Sequence, residues 1–378
     1  MDRITMLDLQ ALWNEASQPC VSIFLPTHLK GAGTQNDPIV LKNLMRDASE
    51  QLVQMELREP EARELLAPVE AIAGNQAFWK EQAPGLAVFR SPRLFRTFHL
   101  AHAPAERVVV TRRFHTRPLL PCLEDNAPFH VLAVSLNDVR LLAATGREIQ
   151  ELSLRDAPRS LKDFQKMEDN QGDDQYRQAG QGGTFAAGGH QADRKDAQRR
   201  YLRAIANAVE AQLNDSRAPL VFAGVEMLFA QYREVAESAR LVSEPVAGSP
   251  DRVSAEILRD QALQVLRPLW EAERTQAAAD YRRLAGTGRT ATGLAQVLPQ
   301  AAAGRVDTLL LVRETERWGH FADGAPLEIH ERPVPGDDEL LDLAASLALK
   351  AGGRVLTLPE ALLEQPEVVD GVAALLRY

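Results

Sequence analysis

The sequence predicts a mixed α/β (α+β) chain with three domains, and three observations lead to this fold class. Apolar segments of strand length alternate with amphipathic helical segments, most regularly in the last third of the chain. In the middle, a hairpin signal is followed by a long glycine-rich stretch and a helical segment. The 378 residues suffice for two or three domains, and Gly248-Ser249-Pro250 is typical of a linker. We therefore expect domains at residues 1–126, 127–249 and 250–378.

The N-terminal domain is expected to combine short strands with amphipathic helices. Residues 21–25 form an apolar strand segment that ends at Pro26. Asp37 and Pro38 predict the start of a helix, because aspartate caps helices well and proline suits the first helical position. Further strands are predicted at residues 85–89, 94–100 and 107–110.

The middle domain is expected to begin with a β-hairpin. Two β-rich arms, residues 129–135 and 139–144, flank the turn-type pair Asn137-Asp138. A helix is predicted at 193–213, followed by an apolar strand at 219–225 and another helix. Between the hairpin and the first of these helices lies a biased segment, residues 165–191, with six glycines and six glutamines. A loop of this length in a compact domain is usually functional or disordered.

The C-terminal domain is expected to be a layered α/β structure. A long helix is predicted at 254–284, and Asp337, Asp338 and Glu339 place negative charge at the start of another helix. Strands are predicted at 306–312 and 355–358, and residues 374–378 are expected to form an edge strand.

Composition limits the classes of function. The net charge is −9, with the acidic excess concentrated after residue 250, so any contact with RNA must come from local basic patches. Cys20 and Cys122 are far apart, which indicates buried thiols instead of a disulfide framework or a zinc site. We find no signal peptide and no membrane span, and we expect a cytoplasmic protein without a cofactor or metal.

Two groups of arginines are candidate RNA contacts. Between Arg90 and Arg117 there are seven arginines and one acid, and Arg112, Arg113 and Arg117 end this run. The guanidinium group suits phosphate because it donates two parallel hydrogen bonds. A solvated strand face that pairs with the acidic segment 56–70 is an equal alternative.

The second group, Arg199, Arg200 and Arg203, lies on the polar side of the predicted helix 193–213, just after the glycine-rich segment. A solvated helix face is again the alternative. The position after the glycine-rich segment favours a functional role.

Other motifs have structural explanations. Gly286-Thr-Gly-Arg-Thr-Ala-Thr-Gly293 lacks the lysine of a P-loop and follows a helix, so a helix end and a new helix start explain it better. His99 and His102 have no third ligand nearby, which favours surface histidines.

Several segments in order resemble a known family, the bacterial branch of the archaeo-eukaryotic release factors, subgroup three. The resemblance covers essentially the whole chain and is carried by VSIFLPTH (21–28), NDPIVLKNLMRDA (36–48), GLAVFRSP (85–92), RRFHTRPLLP (112–121), FHVLAVSLNDVRLL (129–142), RAPLVFAGVEMLFAQYREV (217–235), AAAGRVDTLLLV (301–312) and ALLRY (374–378).

This resemblance implies a ribonuclease-H-like middle domain and an α/β/α sandwich at the C-terminus, similar to kink-turn-binding ribosomal proteins. In catalytic members a Gly-Gly-Gln loop reaches the peptidyl-transferase centre, and the C-terminal domain commonly meets a translational GTPase. Here the loop offers Gly182-Gly183 and Gly188-Gly189, with His190 placed before Gln191.

We therefore expect a ribosome-associated translation factor of the release-factor or Pelota type, acting in rescue, stress or dormancy without hydrolytic chemistry of its own. A peptidyl-tRNA esterase that uses Gln191 is the first alternative. A ribosome-independent adaptor or small-molecule-binding protein on the same scaffold is the second. The oligomeric state stays open.

Overall fold

The computed structural model describes residues 4–29, 33–125, 127–155, 157–176, 190–214, 216–313, 315–322, 324–359 and 368–378. For residues 124–125, 169–176 and 190–193 the backbone alone is described. The chain divides into two compact units, Met1–Glu124 with Glu271–Tyr378 (unit 1) and Asp125–Trp270 (unit 2). Unit 1 thus contains most of both predicted outer domains, and the division into three domains stays a prediction.

The N-terminal segment of unit 1 is a four-stranded antiparallel sheet in the order β3-β2-β1-β4. Two helices, α2 and α3, cover one of its faces with apolar side chains such as Leu41 and Leu66. The elements are α1 (Met6–Trp13), β1 (Cys20–Pro26), α2 (Gly33–Gln54), α3 (Glu59–Ala73), β2 (Gly85–Arg90), β3 (Phe95–Leu100), β4 (Arg107–Thr111), a 3₁₀ turn (Arg117–Leu119) and α4 (Leu120–Asp125).

The predicted start of the second helix is wrong by one turn. Helix α2 begins at Gly33, and Asp37 and Pro38 lie inside it. The buried Asp37 carboxylate accepts a hydrogen bond from the His28 amide nitrogen at 2.8 Å, and its other oxygen lies 2.7 Å from His28 Nδ1. The aspartate therefore ties the chain after β1 to α2 instead of capping the helix.

Unit 2 is built on a five-stranded sheet in the order β7-β6-β5-β8-β9. The first three strands form an antiparallel meander, and β8 and β9 continue parallel to β5. This is the arrangement expected of the ribonuclease-H-like middle domain. The elements are β5 (Phe129–Val134), β6 (Val139–Ala144), β7 (Ile149–Leu152), α5 (Leu161–Tyr176), α6 (His190–Gln212), β8 (Leu220–Gly224), α7 (Glu226–Val235) and β9 (Val246–Ala247).

The predicted loop at residues 165–191 is wrong at both of its ends. Helix α5 runs to Tyr176, so the first part of the predicted loop is helical. Helix α6 begins at His190, ahead of the predicted start at residue 193. Residues 177–189, with the predicted loop glycines Gly182, Gly183, Gly188 and Gly189, lie outside the described residues.

The C-terminal segment of unit 1 contains a second four-stranded sheet, in the order β10-β16-β11-β15. Helices α9 and α10 pack on one face, and the end of α8 packs on the other through Ala278 and Tyr281. The predicted α/β/α sandwich is therefore confirmed. The elements are α8 (Ala255–Leu284), β10 (Thr290–Thr292), α9 (Gly293–Ala302), β11 (Val306–Val312), β12 (Trp318–His320), β13 (Glu328–His330), β14 (Asp338–Glu339), α10 (Leu340–Lys350), β15 (Arg354–Leu358) and β16 (Val372–Leu376).

The last strand is not at an edge of this sheet, contrary to the prediction. Strand β16 pairs antiparallel with β10 on one side and with β11 on the other. The sequence did not reveal β10, because its three residues follow directly on the glycine-rich turn that starts at Gly286. With β10 in place, β16 becomes an interior strand, and Val372, Ala373 and Ala374 are fully buried.

Across the described part of the chain, the helices are all too short or too polar to cross a lipid bilayer.

Candidate nucleic-acid interface

Helix α6 presents a basic face to solvent. Its buried stripe, which includes Tyr201, Leu202, Ile205 and Val209, follows the helical period and packs against the sheet of unit 2. The side chains on the opposite face are exposed, and they include Arg194, Lys195, Arg199, Arg200 and Arg203. The predicted helix face is thus confirmed as exposed, and its role toward RNA stays a prediction.

Tyr201 fixes the rotation of α6 about its own axis. The side chain is fully buried, and its hydroxyl donates to the Ser135 carbonyl at 2.9 Å. Burial raises the pKa of the Tyr201 hydroxyl, so it stays a neutral donor. The ring also lies 6.1 Å from the Phe164 ring of α5. Because this anchor is buried, residues one half-turn away, such as Arg199 and Arg203, must face solvent.

The three predicted arginines of α6 differ in their neighbours. Arg200 pairs with Glu168 of α5, with Nε 2.9 Å from Oε1, and both groups are at least a third exposed. A pair exposed to this degree contributes only about 0–1 kcal/mol, so phosphate can compete for Arg200. Arg199 and Arg203 form no ion pair with any side chain that the structure describes. Within the described residues, both can therefore bind an anion without breaking an ion pair.

Gln191 lies in the first turn of α6, where only its backbone is described. The prediction placed it at the end of a loop, and the structure instead places it in a helix. Its predicted catalytic role stays a prediction.

Arg112 and Arg113 follow the end of β4 and are both exposed. Arg113 Nε lies 3.9 Å from Asp338 Oδ2, and its side chain is 56% exposed. At that distance and exposure the pair is weak. Both arginines therefore remain candidate phosphate contacts on unit 1. They lie in a different unit from the arginines of α6.

Arg117 is a correction to the predicted set. Its side chain is only 11% exposed, and its guanidinium lies 3.7 Å from the buried Glu339 carboxylate. It also donates to the carbonyls of Val312 at 2.7 Å, Arg313 at 3.0 Å and Thr315. Its donors are used inside unit 1, so Arg117 holds the structure together instead of offering a free contact to phosphate.

A buried polar network near the start of α10 was missed from the sequence. The Asp342 carboxylate accepts from the Thr116 amide at 2.7 Å and from the Thr116 hydroxyl at 2.8 Å. The Trp13 indole in turn donates to that hydroxyl at 2.8 Å. Asp342 lies three residues after the acidic run at 337–339, and that density of acids was the only local signal.

Two buried acids, Asp338 and Glu339, precede Asp342 in the chain. Desolvation raises the pKa of Asp338, and the nearby Arg113 guanidinium partly offsets this rise. Desolvation likewise raises the pKa of Glu339, and there Arg117 partly offsets the rise. Glu339 caps α10 by accepting from the Leu341 and Asp342 amides. These acids therefore stabilise the fold locally. Within the described ranges, no three His, Cys, Asp or Glu side chains are grouped as metal ligands would be.

Residues 128–305 match the model of bacterial archaeo-eukaryotic release factor family 3, which confirms the resemblance predicted from the sequence for this part of the chain. A comparison with curated proteins finds no match.

The solved structures that resemble the chain include an archaeal termination factor, Dom34 and Pelota. The archaeal translation termination factor aRF1 is 16% identical, with 98% of this chain and 96% of that chain covered and a TM-score of 0.23. Dom34 of S. cerevisiae, described as a translation termination-like factor interacting with Hbs1, is 12% identical over 75% of this chain and 73% of that chain, with a TM-score of 0.36. Pelota of Archaeoglobus fulgidus is 14% identical over 78% and 79%, with a TM-score of 0.29.

Proposed function

We propose that this chain is a ribosome-associated translation factor of the release-factor or Pelota type. The observation that carries the proposal is the exposed arginine face of α6, which lies in residues 128–305 that match a release factor family model and comes directly after the glycine-rich segment. Arg199, Arg200 and Arg203 contact phosphate of ribosomal RNA or tRNA in this proposal. Arg112 and Arg113 add a second contact from unit 1.

The charge distribution supports a local contact in preference to a diffuse one. The chain as a whole carries −9 and is repelled by RNA at long range. Binding therefore depends on placing a few guanidinium groups directly on phosphates, where each forms short charge-assisted hydrogen bonds. Such contacts release condensed counterions, so the affinity must fall as the salt concentration rises.

We infer that the factor acts in rescue, stress or dormancy without hydrolytic chemistry of its own. A glutamine that positions water for ester hydrolysis must be held within a fraction of an ångström of the productive geometry. Here His190 separates Gln191 from the glycine pair, and Gln191 lies in the first turn of α6. A translational GTPase that meets the acidic C-terminal segment is a further part of the proposal.

Co-sedimentation with ribosomes from growing and from starved cells tests the proposal. The wild-type chain should pellet with ribosomes at low salt and dissociate at high salt. The double variant Arg199→Glu/Arg203→Glu should pellet poorly at low salt. Each lost phosphate contact removes about 0.7–0.9 from the slope of log affinity against log salt, so the double variant should lower the slope by about 1.5.

A matched control is Arg217→Glu/Arg252→Glu, which reverses two exposed arginines elsewhere in unit 2. It changes the net charge equally and should bind like wild type. Absence of the wild-type chain from ribosomes at low salt would reject the proposal. Equal loss in both double variants would show that only net charge matters.

A further inference from the structure

Three arginines meet at one end of the C-terminal sheet. Arg289 directly precedes β10, Arg377 directly follows β16, and Arg305 directly precedes β11. Backbone hydrogen bonds join them across the strands: Leu376 N donates to Arg289 O at 2.9 Å, and Arg377 N donates to Arg305 O at 3.0 Å. Neighbouring strands lie about 4.8 Å apart, so the three residues form a row about 10 Å wide. All three are exposed, and we name them with Tyr378 the basic strand end.

An exposed aromatic ring completes the row. Tyr378 is 75% exposed, although tyrosine usually buries much of its ring. The Arg305 guanidinium carbon lies 5.9 Å from the centre of this ring, a cation–π distance. The guanidinium thus holds the ring on one side. An open aromatic face beside arginine is the surface on which unpaired bases stack.

The turn that leads into β10 contains two glycines with open space beside them. Gly286 and Gly288 have φ angles of 77° and 81°, and a Cβ added to either would meet no atom within 4 Å. Within the described part of the chain, the amide nitrogen atoms of these two glycines donate to no acceptor. Backbone amides in such turns bind phosphate oxygens when a chain approaches closely.

The acids of α8 and β11 that are closest in sequence to this surface have other partners. Asp280 accepts from Arg283 at 2.8 Å, and Asp307 Oδ2 lies 3.9 Å from the Arg354 guanidinium. Arg377 uses one nitrogen atom to donate to the Ala351 carbonyl at 2.8 Å, which orients it and leaves other donors. Arg289 and Arg305 form no ion pair with any described carboxylate. The acidic third of the sequence therefore carries a local cationic surface, which net charge alone conceals.

We propose that the basic strand end binds unpaired RNA. Phosphate oxygens contact Arg289, Arg305 and the glycine amides, and one base stacks on the open face of Tyr378. This inference goes beyond the proposed function, because it adds a contact on unit 1 that requires no ribosome and none of the arginines of α6.

Fluorescence anisotropy of the full chain with a labelled single-stranded RNA 12-mer tests the proposal. Tyr378→Ala should weaken binding about fivefold or more, and Tyr378→Phe should bind like wild type because phenylalanine keeps the stacking ring. Arg305→Glu should weaken binding and lower the salt slope by about 0.7 or more. Arg332→Glu, an exposed arginine on the same segment, is the matched charge control and should bind more nearly like wild type.

Photocrosslinking places the RNA and separates this surface from α6. An RNA that carries 5-iodouridine should crosslink to the peptide that contains Tyr378, and Arg199→Glu/Arg203→Glu should preserve that crosslink. Double-stranded RNA of the same sequence should compete poorly, because its bases cannot stack on the ring.

The proposal is overturned if wild type binds no RNA at low salt, if Arg332→Glu weakens binding as much as Arg305→Glu, or if crosslinks form only elsewhere. A circular dichroism melt confirms that each variant is folded.

Discussion

Glu339 both caps helix α10 and faces the guanidinium of Arg117. Its carboxylate caps α10 through the Asp342 amide at 2.7 Å and faces the Arg117 guanidinium at 3.7 Å, with a side chain only 1% exposed. Removing one member of a buried ion pair leaves an uncompensated charge, which costs about 3–5 kcal/mol. Glu339→Ala should therefore lower the free energy of unfolding by that amount in urea denaturation.

The control for this prediction is Glu328→Ala, because Glu328 is exposed on β13. Exposed substitutions usually change stability by less than about 0.5 kcal/mol. If Glu339→Ala were as stable as Glu328→Ala, the contact between Arg117 and Glu339 would not stabilise the fold. The Arg117 guanidinium would then be available to bind RNA phosphate.

Asp338 gives a prediction about pH. Burial raises the pKa of its carboxyl, so the folded state holds the proton more tightly than the unfolded state does. The free energy of unfolding then falls as the pH rises from the unfolded pKa through the raised folded pKa. Asp338→Asn cannot ionise, so its stability relative to wild type should rise between pH 4 and pH 7. Chemical denaturation across this range measures the difference, and a constant or falling difference would contradict the argument.

Gln191 decides between a binding factor and an esterase. Since Gln191 lies in the first turn of α6 and His190 separates it from the glycine pair, we expect wild type and Gln191→Ala to release peptide from stalled ribosomes at the same background rate. Release of radiolabelled peptide from purified complexes measures this. Release by wild type that Gln191→Ala abolishes would establish the esterase alternative.

At the scale of elements, sequence patterns were reliable where they were local and periodic. The hairpin around Asn137-Asp138 forms with Val134 opposite Val139. The apolar stripe of α6 is buried as its spacing predicted, because a 3.6-residue period places Leu202, Ile205 and Val209 on one side.

Elements without such a period were missed. Helix α5 is largely polar, and among its described side chains Leu161 and Phe164, near its start, pack against the core. Glutamine, lysine and glutamate are nevertheless good helix formers, so its propensity supports a helix that the glycine content obscured. Strand β10 is too short to show alternation. Thr116 and Asp342 are 226 residues apart, and no local pattern can reveal such a contact.

The exposure of the predicted arginines could be foreseen only where local helical spacing determines it. Arg199, Arg200 and Arg203 were predicted on an exposed face and are exposed, because helical spacing fixes which side faces the core. Arg117 belongs to the same arginine-rich run as Arg112 and Arg113, yet its side chain is only 11% exposed and faces a carboxylate far along the chain. Sequence charge alone does not distinguish these cases.

At the scale of the whole molecule, the two compact units should unfold separately. Phe222 is fully buried in unit 2, with its ring 5.1 Å from Tyr232, and Leu309 is fully buried in unit 1. Phe222→Ala should cost about 3–5 kcal/mol and Leu309→Ala about 2–5 kcal/mol. In calorimetry each variant should lower the unfolding temperature of its own unit and leave that of the other unit unchanged. A single transition that both variants shift equally would show one cooperative unit.

The position of α6 in a ribosome complex tests the central claim most directly. Cryo-electron microscopy of the wild-type chain on ribosomes from starved cells should show Arg199 and Arg203 within hydrogen-bonding distance of phosphate groups of ribosomal RNA or tRNA. A complex in which the arginine face of α6 points to solvent, or contacts only ribosomal protein, would contradict the account.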